Sequence, residues 1–273
     1  AKTLFPYTTL FRSIPLLSIL KNIEELNINR LYQLNELQLS NILDSVITNN
    51  PNLTIFQAAE TNLNSSHLKI IENAQKLIVL NLSKCTKLDL ESLQDFFDSF
   101  KSFQQLSLSE LPINHGLLKN ILLKNSCLQS LNIENCSEIT NPGFIETCLS
   151  FSRNKKLLYN LNLASLQINA KSLDSGFTFL SSSLKKIEAI DLSYLPISPE
   201  VLSKIASCKN IKYLSLAGMK VLDDDLANFF KEFGNNNHKL QTLNLNSVIF
   251  KGNSLGLKTI SSIAKNFKTI RHL

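Results

Sequence analysis

The sequence predicts an α/β solenoid, a stack of short parallel strands and helices in which each repeat leans on its neighbours. Three observations carry the prediction. The first is a ladder: L-x-x-L-x-L begins at Ile23, Leu53, Leu77, Phe103, Leu128, Leu158, Ile187, Ile211, Leu240 and Ile270, at steps of 24 to 30 residues. The second is period-2 alternation inside each step, the signature of a half-buried strand. The third is a helix-start signal followed by apolar residues at helical spacing. A period of this length means a leucine-rich-repeat architecture, in which no repeat can bury its apolar face alone. Long helical segments place it with the ribonuclease-inhibitor-like horseshoes, strands on the concave face and helices on the convex one.

Taken in order, the steps give strands centred near Leu80, Leu106, Leu131, Leu161, Ile190, Leu214 and Leu243. Leu90 to Phe100 reads as a helix, and Pro142 after Asn141 marks the start of another. In the repeat at Ile187, alternation turns Ile190 and Leu192 inward and Ala189, Asp191 and Ser193 outward. Ser198-Pro199-Glu200 then supplies an N-cap and a proline at the first helical position. Val201, Leu202, Ile205 and Ala206 follow as the buried stripe. Asp223-Asp224-Asp225 gives an equivalent start, with carboxylates favoured by the helix dipole, and Leu255 to Phe267 reads as the last helix.

Thr3 to Ser13, TLFPYTTLFRS, resemble the translation of a common sequencing-library adapter, so residues 1–13 are expected to lie outside the fold. Residues 14–273 then form the repeat domain, nine to ten repeats, expected to be truncated at both ends because no capping repeat is visible.

With 44% hydrophobic and 18% charged residues, the chain has ample core, and its apolar runs fall far short of a membrane span. This composition fits a cytoplasmic protein. Residues 1–150 carry 11 Lys and Arg against 14 Asp and Glu, a balance of −3, while residues 151–273 carry 17 against 8, a balance of +9. Arg interleaved with aromatics is missing from the basic half, so nucleic acid is not an expected partner. Membrane contact is expected only through flanking domains.

Nothing in the motifs points to catalysis. His67, His115, His238 and His272 are scattered without ligand spacing, so no metal site is expected. No phosphate loop or dinucleotide-binding glycine pattern exists, and no cofactor is implied. Of the five cysteines, Cys85 and Cys136 occupy the loop position where Asn or Cys bonds the backbone. The outward central column reads Asn27, Gln57, Asn81, Ser107, Asn132, Asn162, Asp191, Ser215 and Asn244, a small polar surface without a nucleophile and base. Tyr159, Tyr194 and Tyr213 cluster on three consecutive repeats, a residue type enriched at interface hot spots. The expected protein-binding site on the concave face is therefore Asn160, Asn162, Asp191, Tyr194, Tyr213 and Asn244. Ile55 and Val79 make a smaller apolar pair.

Phe177-Thr-Phe-Leu-Ser-Ser-Ser-Leu184, running into Ile190-Asp-Leu-Ser193, Leu195-Pro-Ile-Ser-Pro-Glu200 and Asp224-Asp-Leu226, resembles the repeat region of the CARMIL family, the capping-protein, Arp2/3 and myosin-I linkers. The detailed resemblance covers Leu158 to Phe267. Tyr194 departs from it, standing where the family often has a small residue, as do Leu166, Leu195, Met219 and Val248 at the loop position. The resemblance implies a non-enzymatic scaffold from a regulator of the actin cytoskeleton, with cytoskeletal partners. The alternative is the substrate-recognition repeats of a ubiquitin-ligase receptor, suggested by the cysteine-type repeats ending at Cys85 and Cys136. A ribonuclease-inhibitor-like binder would need a basic partner, for which the concave face has few carboxylates.

Overall fold

The computed structural model describes residues 3–4, 21–100, 102–153, 158–252 and 255–273. The chain forms two compact units, residues 1–128 and 129–273.

In the first unit, strands β1 (Thr3–Leu4), β2 (Glu25–Asn27), β3 (Ile55–Gln57), β4 (Val79–Asn81) and β5 (Gln105–Ser107) lie parallel in chain order. Helices α1 (Glu36–Asn49), α2 (Ser65–Ile71), α3 (Leu90–Asp98) and α4 (His115–Lys124) follow β2 to β5 in turn. Leu26, Phe56, Leu80 and Leu106 stand in register and are buried, and Ile55 pairs with Val79 on the opposite face. Phe96, Phe97, Phe100 and Phe103 pack together with ring centroids 4.8 to 5.9 Å apart. They fill the space between α3 and the strand that follows it.

The second unit repeats the plan. Its strands β6 (Ser130–Asn132), β7 (Asn160–Asn162), β8 (Ala189–Asp191), β9 (Tyr213–Ser215) and β11 (Thr242–Asn244) are parallel, and Leu131, Leu161, Ile190, Leu214 and Leu243 are their buried centres. Its helices are α5 (Asn141–Arg153), α6 (Ala170–Leu180), α7 (Pro199–Ala206), α8 (Asp223–Asn236) and α9 (Leu257–Asn266), with a 3-10 turn at Ser183–Lys186. A second small sheet, not anticipated from the sequence, pairs β10 (Lys220–Val221) with β12 (Ile249–Phe250). The seven predicted strand centres are all central strand residues. No helix among the described residues is long and apolar enough to cross a membrane.

Helix starts follow the polar residues of the sequence. Asn35, Asn64, Asp89, Asn114, Asn169 and Ser198 each accept the N–H three residues on. Asp223, Asp224 and Asp225 form the first turn of α8, the helix start that the acidic run predicts, and Asp223 has a further role. The N-cap position of α8 is Leu222, without a side-chain cap; the buried Asp223 carboxylate instead accepts the Thr259 N–H at 2.9 Å and its hydroxyl at 2.7 Å. It therefore caps the helix of the next repeat, where Gly256 offers no side chain of its own.

The parallel ladder continues beyond each strand through one left-handed residue. Arg30, Glu60, Lys84 and Glu110 hold this conformation in the first unit, and Asn135, Ser165, Tyr194, Gly218 and Ser247 in the second. Where the bond runs to the next repeat, as from Arg30 to Ala59, Glu60 to Ser83, Tyr194 to Ala217 and Gly218 to Asn246, the N–H reaches the carbonyl at 2.7 to 2.9 Å. Positive φ turns the amide sideways at this point, which is why the position recurs despite its cost to L-residues. Arg30 with Glu60, and Lys84 with Glu110, form exposed ion pairs along this rim.

Candidate protein-binding face of the second unit

Parallel register sets the outward residues of the second unit in two columns, about 4.8 Å from strand to strand. One column is Ser130, Asn160, Ala189, Tyr213 and Thr242; the other is Asn132, Asn162, Asp191, Ser215 and Asn244. They differ in what they have left to offer a partner.

The second column is largely spent on the fold. Asn132, Asn162, Asp191 and Asn244 each accept, through Oδ1, the backbone N–H two residues on, at 2.9 to 3.0 Å, and Asn27 and Asn81 do the same in the first unit at 3.1 and 3.0 Å. This Asx turn lets the chain leave the strand for the left-handed position. Where the column residue is Gln57 or Ser107, the preceding repeat substitutes: Asn29 Oδ1 accepts the Ala59 N–H at 2.6 Å, and Ser83 Oγ the Ser109 N–H at 3.3 Å. The amide groups of Asn162 and Asn244 donate sideways to Glu134 at 3.2 Å and to Ser215 at 3.0 Å.

Two residues expected to face outward are covered. Ser193 is 6% exposed and Ser215 not at all. Their hydroxyls lie 2.6 Å apart, and the Ser193 hydroxyl also donates to Asp191 at 2.5 Å. A hydroxyl short enough to bond its neighbour across the strands sinks below longer side chains, so alternation alone misplaces it.

The first column keeps its polar groups and has a hollow in it. Ala189, the smallest residue of the column, stands between Asn160 and Tyr213. These residues, with Ser130, Asn132, Asn162 and Asp191, line a depression of about 220 Å³. Asn160 is exposed. Tyr213 is half-buried, and its hydroxyl donates to Asp191 Oδ2 at 3.4 Å. Burial, then the Asp191 charge, hold the Tyr213 hydroxyl above its ordinary pKa, so it remains a donor. The depression thus combines an aromatic wall, a carboxylate, and amides that both donate and accept. No group of three or more His, Cys, Asp or Glu that could hold a metal occurs among the described residues.

Of the expected site residues, Asn160, Asn162, Asp191 and Tyr213 come together here. Asn244 lies two strands from Asp191 in the same register. Tyr194 stands apart: it occupies the left-handed turn beyond β8, 61% exposed, with its ring against Gly218 of the next turn. Ser130 and Ala189 are members that sequence reasoning passed over. Their parity with Tyr213 was the available signal, since a hollow is marked by the small residue beside the large one.

Cys85, at the loop position of its repeat, is buried, and its thiol donates to the Ala58 carbonyl at 3.1 Å. Burial pushes that thiol above its ordinary pKa and burial of Cys208 pushes it up to about 11, as suits structural rather than nucleophilic groups.

No family model and no curated protein matches the sequence. Solved structures do. A chain of the Rad7 and Elc1 complex in yeast aligns with a TM-score of 0.56 and 18% identity over 90% of this chain and 75% of that one. A chain of the TLR13–ssRNA13 complex aligns with a TM-score of 0.50 and 19% identity over 89% of this chain, which spans 36% of that one. The fold is a leucine-rich-repeat fold. At such identities the likeness concerns the fold alone.

Proposed function

We propose that the chain is a non-enzymatic protein-interaction scaffold and that the first outward column of its second unit is the contact surface. The observation that carries this reading is the depression walled by Tyr213 and floored at Ala189, bordered by the uncommitted amide of Asn160. Tyrosine offers stiff area with a polar tip, the combination found at the centres of protein interfaces. Leucine-rich-repeat chains also occur in two-protein crystals such as the Rad7 and Elc1 complex. Tyr213→Ala should weaken partner binding by at least about 1 kcal/mol while leaving the thermal transition in place. Unchanged affinity with an intact fold overturns the surface assignment.

The finer reading, repeats of a CARMIL-like capping-protein regulator, is supported by the Phe177 to Leu184 run and the Ser198-Pro199-Glu200 helix start, which builds the capped α7 of this unit. It is tested by whether the complete protein slows or reverses barbed-end capping in an actin polymerisation assay. A second reading, substrate recognition for a ubiquitin ligase, is favoured by the cysteine-type turn, whose thiol bond from Cys85 to Ala58 is formed. Absence of any effect on capping, together with co-purification of a ubiquitin-ligase adaptor, would decide for it.

A further inference from the structure

The second unit carries a basic stripe on a different edge from the tyrosine depression. In each of the four repeats that begin at Ile187, Ile211, Leu240 and Ile270, the residue two positions earlier is basic or imidazole: Lys185, Lys209, His238 and Lys268. All four lie in turns that lead from a helix back into a strand, and all four are exposed. Lys186, Lys239 and Arg271 flank them. Glu188 is the one carboxylate in these turns, and Lys212 already holds it at 2.7 Å. The equivalent positions of the first unit are Lys21, Pro51, Gln75, Lys101 and Ser126, a cation in two of five. Helix C-termini favour cations, but that preference acts equally on both units, so the unbroken run in the second is an additional feature.

The turns are stacked rather than merely adjacent. Lys212 N–H donates to Glu188 O at 2.7 Å, Gln241 N–H to Lys212 O at 2.8 Å, and Arg271 N–H to Gln241 O at 2.8 Å, so one backbone bond per repeat carries the ladder along this edge. Asn210 ties the turns further, donating to Lys185 O at 3.0 Å and accepting Lys239 Nζ at 2.7 Å. Lys185, Lys209 and Lys268 therefore rise from turns that are tied one to the next three residues further on, where neighbouring backbones run at the strand spacing of about 4.8 Å. Like charges held this close repel one another, and an anionic partner relieves that repulsion.

We propose that this stripe docks an acidic segment of a partner protein, an extended run of Asp and Glu lying across the stacked turns. Same-face side chains of an extended peptide recur every ~6.6 Å, and four-carbon lysine stems absorb the difference from the strand spacing. Single-stranded nucleic acid fits less well, because no phenylalanine, tyrosine or tryptophan is exposed on these turns to stack on bases. An anionic membrane fits less well too. Apart from Leu273, none of the exposed large apolar side chains lies on them, and interfacial binding needs apolar residues to insert.

The test uses the whole chain and three fluorescent probes: a twelve-residue glutamate peptide, a twelve-nucleotide single-stranded RNA, and vesicles of phosphatidylcholine with phosphatidylserine. The peptide should bind saturably, with affinity falling at least about tenfold from low to physiological salt, as exposed charge pairs require. Lys185→Glu/Lys209→Glu/Lys268→Glu should weaken it at least about tenfold more, whereas Tyr213→Ala, on the other surface, should leave it unchanged. The neutral set Lys185→Gln/Lys209→Gln/Lys268→Gln gives the same reading should the reversal perturb folding. Equal peptide affinity of the neutral set and the native chain overturns the proposal, and so does tighter binding of the RNA or the vesicles.

Discussion

Tyr194 and Gly218 occupy the same left-handed position in consecutive repeats, with φ of +61° and +70°. A bulky aromatic is poorly suited to this conformation, and eight of the nine ladder turns hold it with a side chain present. What makes Tyr194 tolerable is the glycine beside it: a Cβ on Gly218 would run into Tyr194 Cδ1 and Cε1. The ring lies in the space that glycine leaves. Gly218→Ala should therefore destabilise by about 3 kcal/mol, combining left-handed strain of about 1 to 2 kcal/mol with displacement of the ring. In a Tyr194→Asn background, where asparagine tolerates positive φ, the same substitution should cost only about 1 to 2 kcal/mol. Denaturant melts of the four proteins in the cycle measure the coupling, and additive effects would show that the ring and the glycine are independent. The tyrosine itself was legible in the sequence as part of an aromatic cluster; its backbone state was not, because the usual cue, glycine at the turn, is present only in the neighbour.

Strands and helices were readable wherever the ladder and the caps agreed, as at Ile187 to Ala206, where Ser198-Pro199 starts the helix the sequence predicts. Side-chain bonds that cross from one repeat to another were not readable, because they depend on register. The outward asparagines of the second column also close Asx turns, and Ser193 and Ser215 sink into a hydroxyl pair. Asn237 shows how much such a residue carries. Wholly buried at the end of α8, its amide donates to Cys208 O at 3.1 Å and Ile211 O at 3.0 Å, and its Oδ1 accepts the N–H groups of Lys239 at 2.9 Å and Leu240 at 3.0 Å. In the first unit, Asn50 Oδ1 accepts the Ile23 N–H at 2.7 Å and Asn125 Oδ1 the Phe103 N–H at 2.8 Å, each from the start of the strand before its own helix. These side chains tie a helix end to the start of the strand before it, and Asn237 to the one after it as well, where regular backbone pairing stops. Asn237→Ala leaves several buried backbone groups without partners and should lower stability by at least about 2 kcal/mol. A melting curve that coincides with that of the native chain would mean that water or backbone adjustment replaces the side chain.

At the scale of the chain, the period of the ladder specified the architecture, since apolar residues at fixed intervals can be buried only by stacking. The candidate surface was half legible: four of its residues meet around the hollow, but the hollow itself required Ala189 and the register that sets it beside Tyr213. The edge of the stack raises a separate question. Thr3 and Leu4 pair in parallel with Glu25 and Leu26, extending the ladder by two residues beyond β2. An unpaired strand edge takes whatever extended backbone is tethered near it, so this pairing follows even when the segment contributes little of its own. Two residue pairs at an outer edge replace bonds that water would otherwise make, and the net difference is small. Deleting Ala1 to Ser13 should accordingly leave unfolding free energy within about 0.5 kcal/mol, the range usual for changes away from packed features. Chemical denaturation of the full and shortened chains decides the matter: a loss above about 2 kcal/mol would make the segment a true cap on the first repeat.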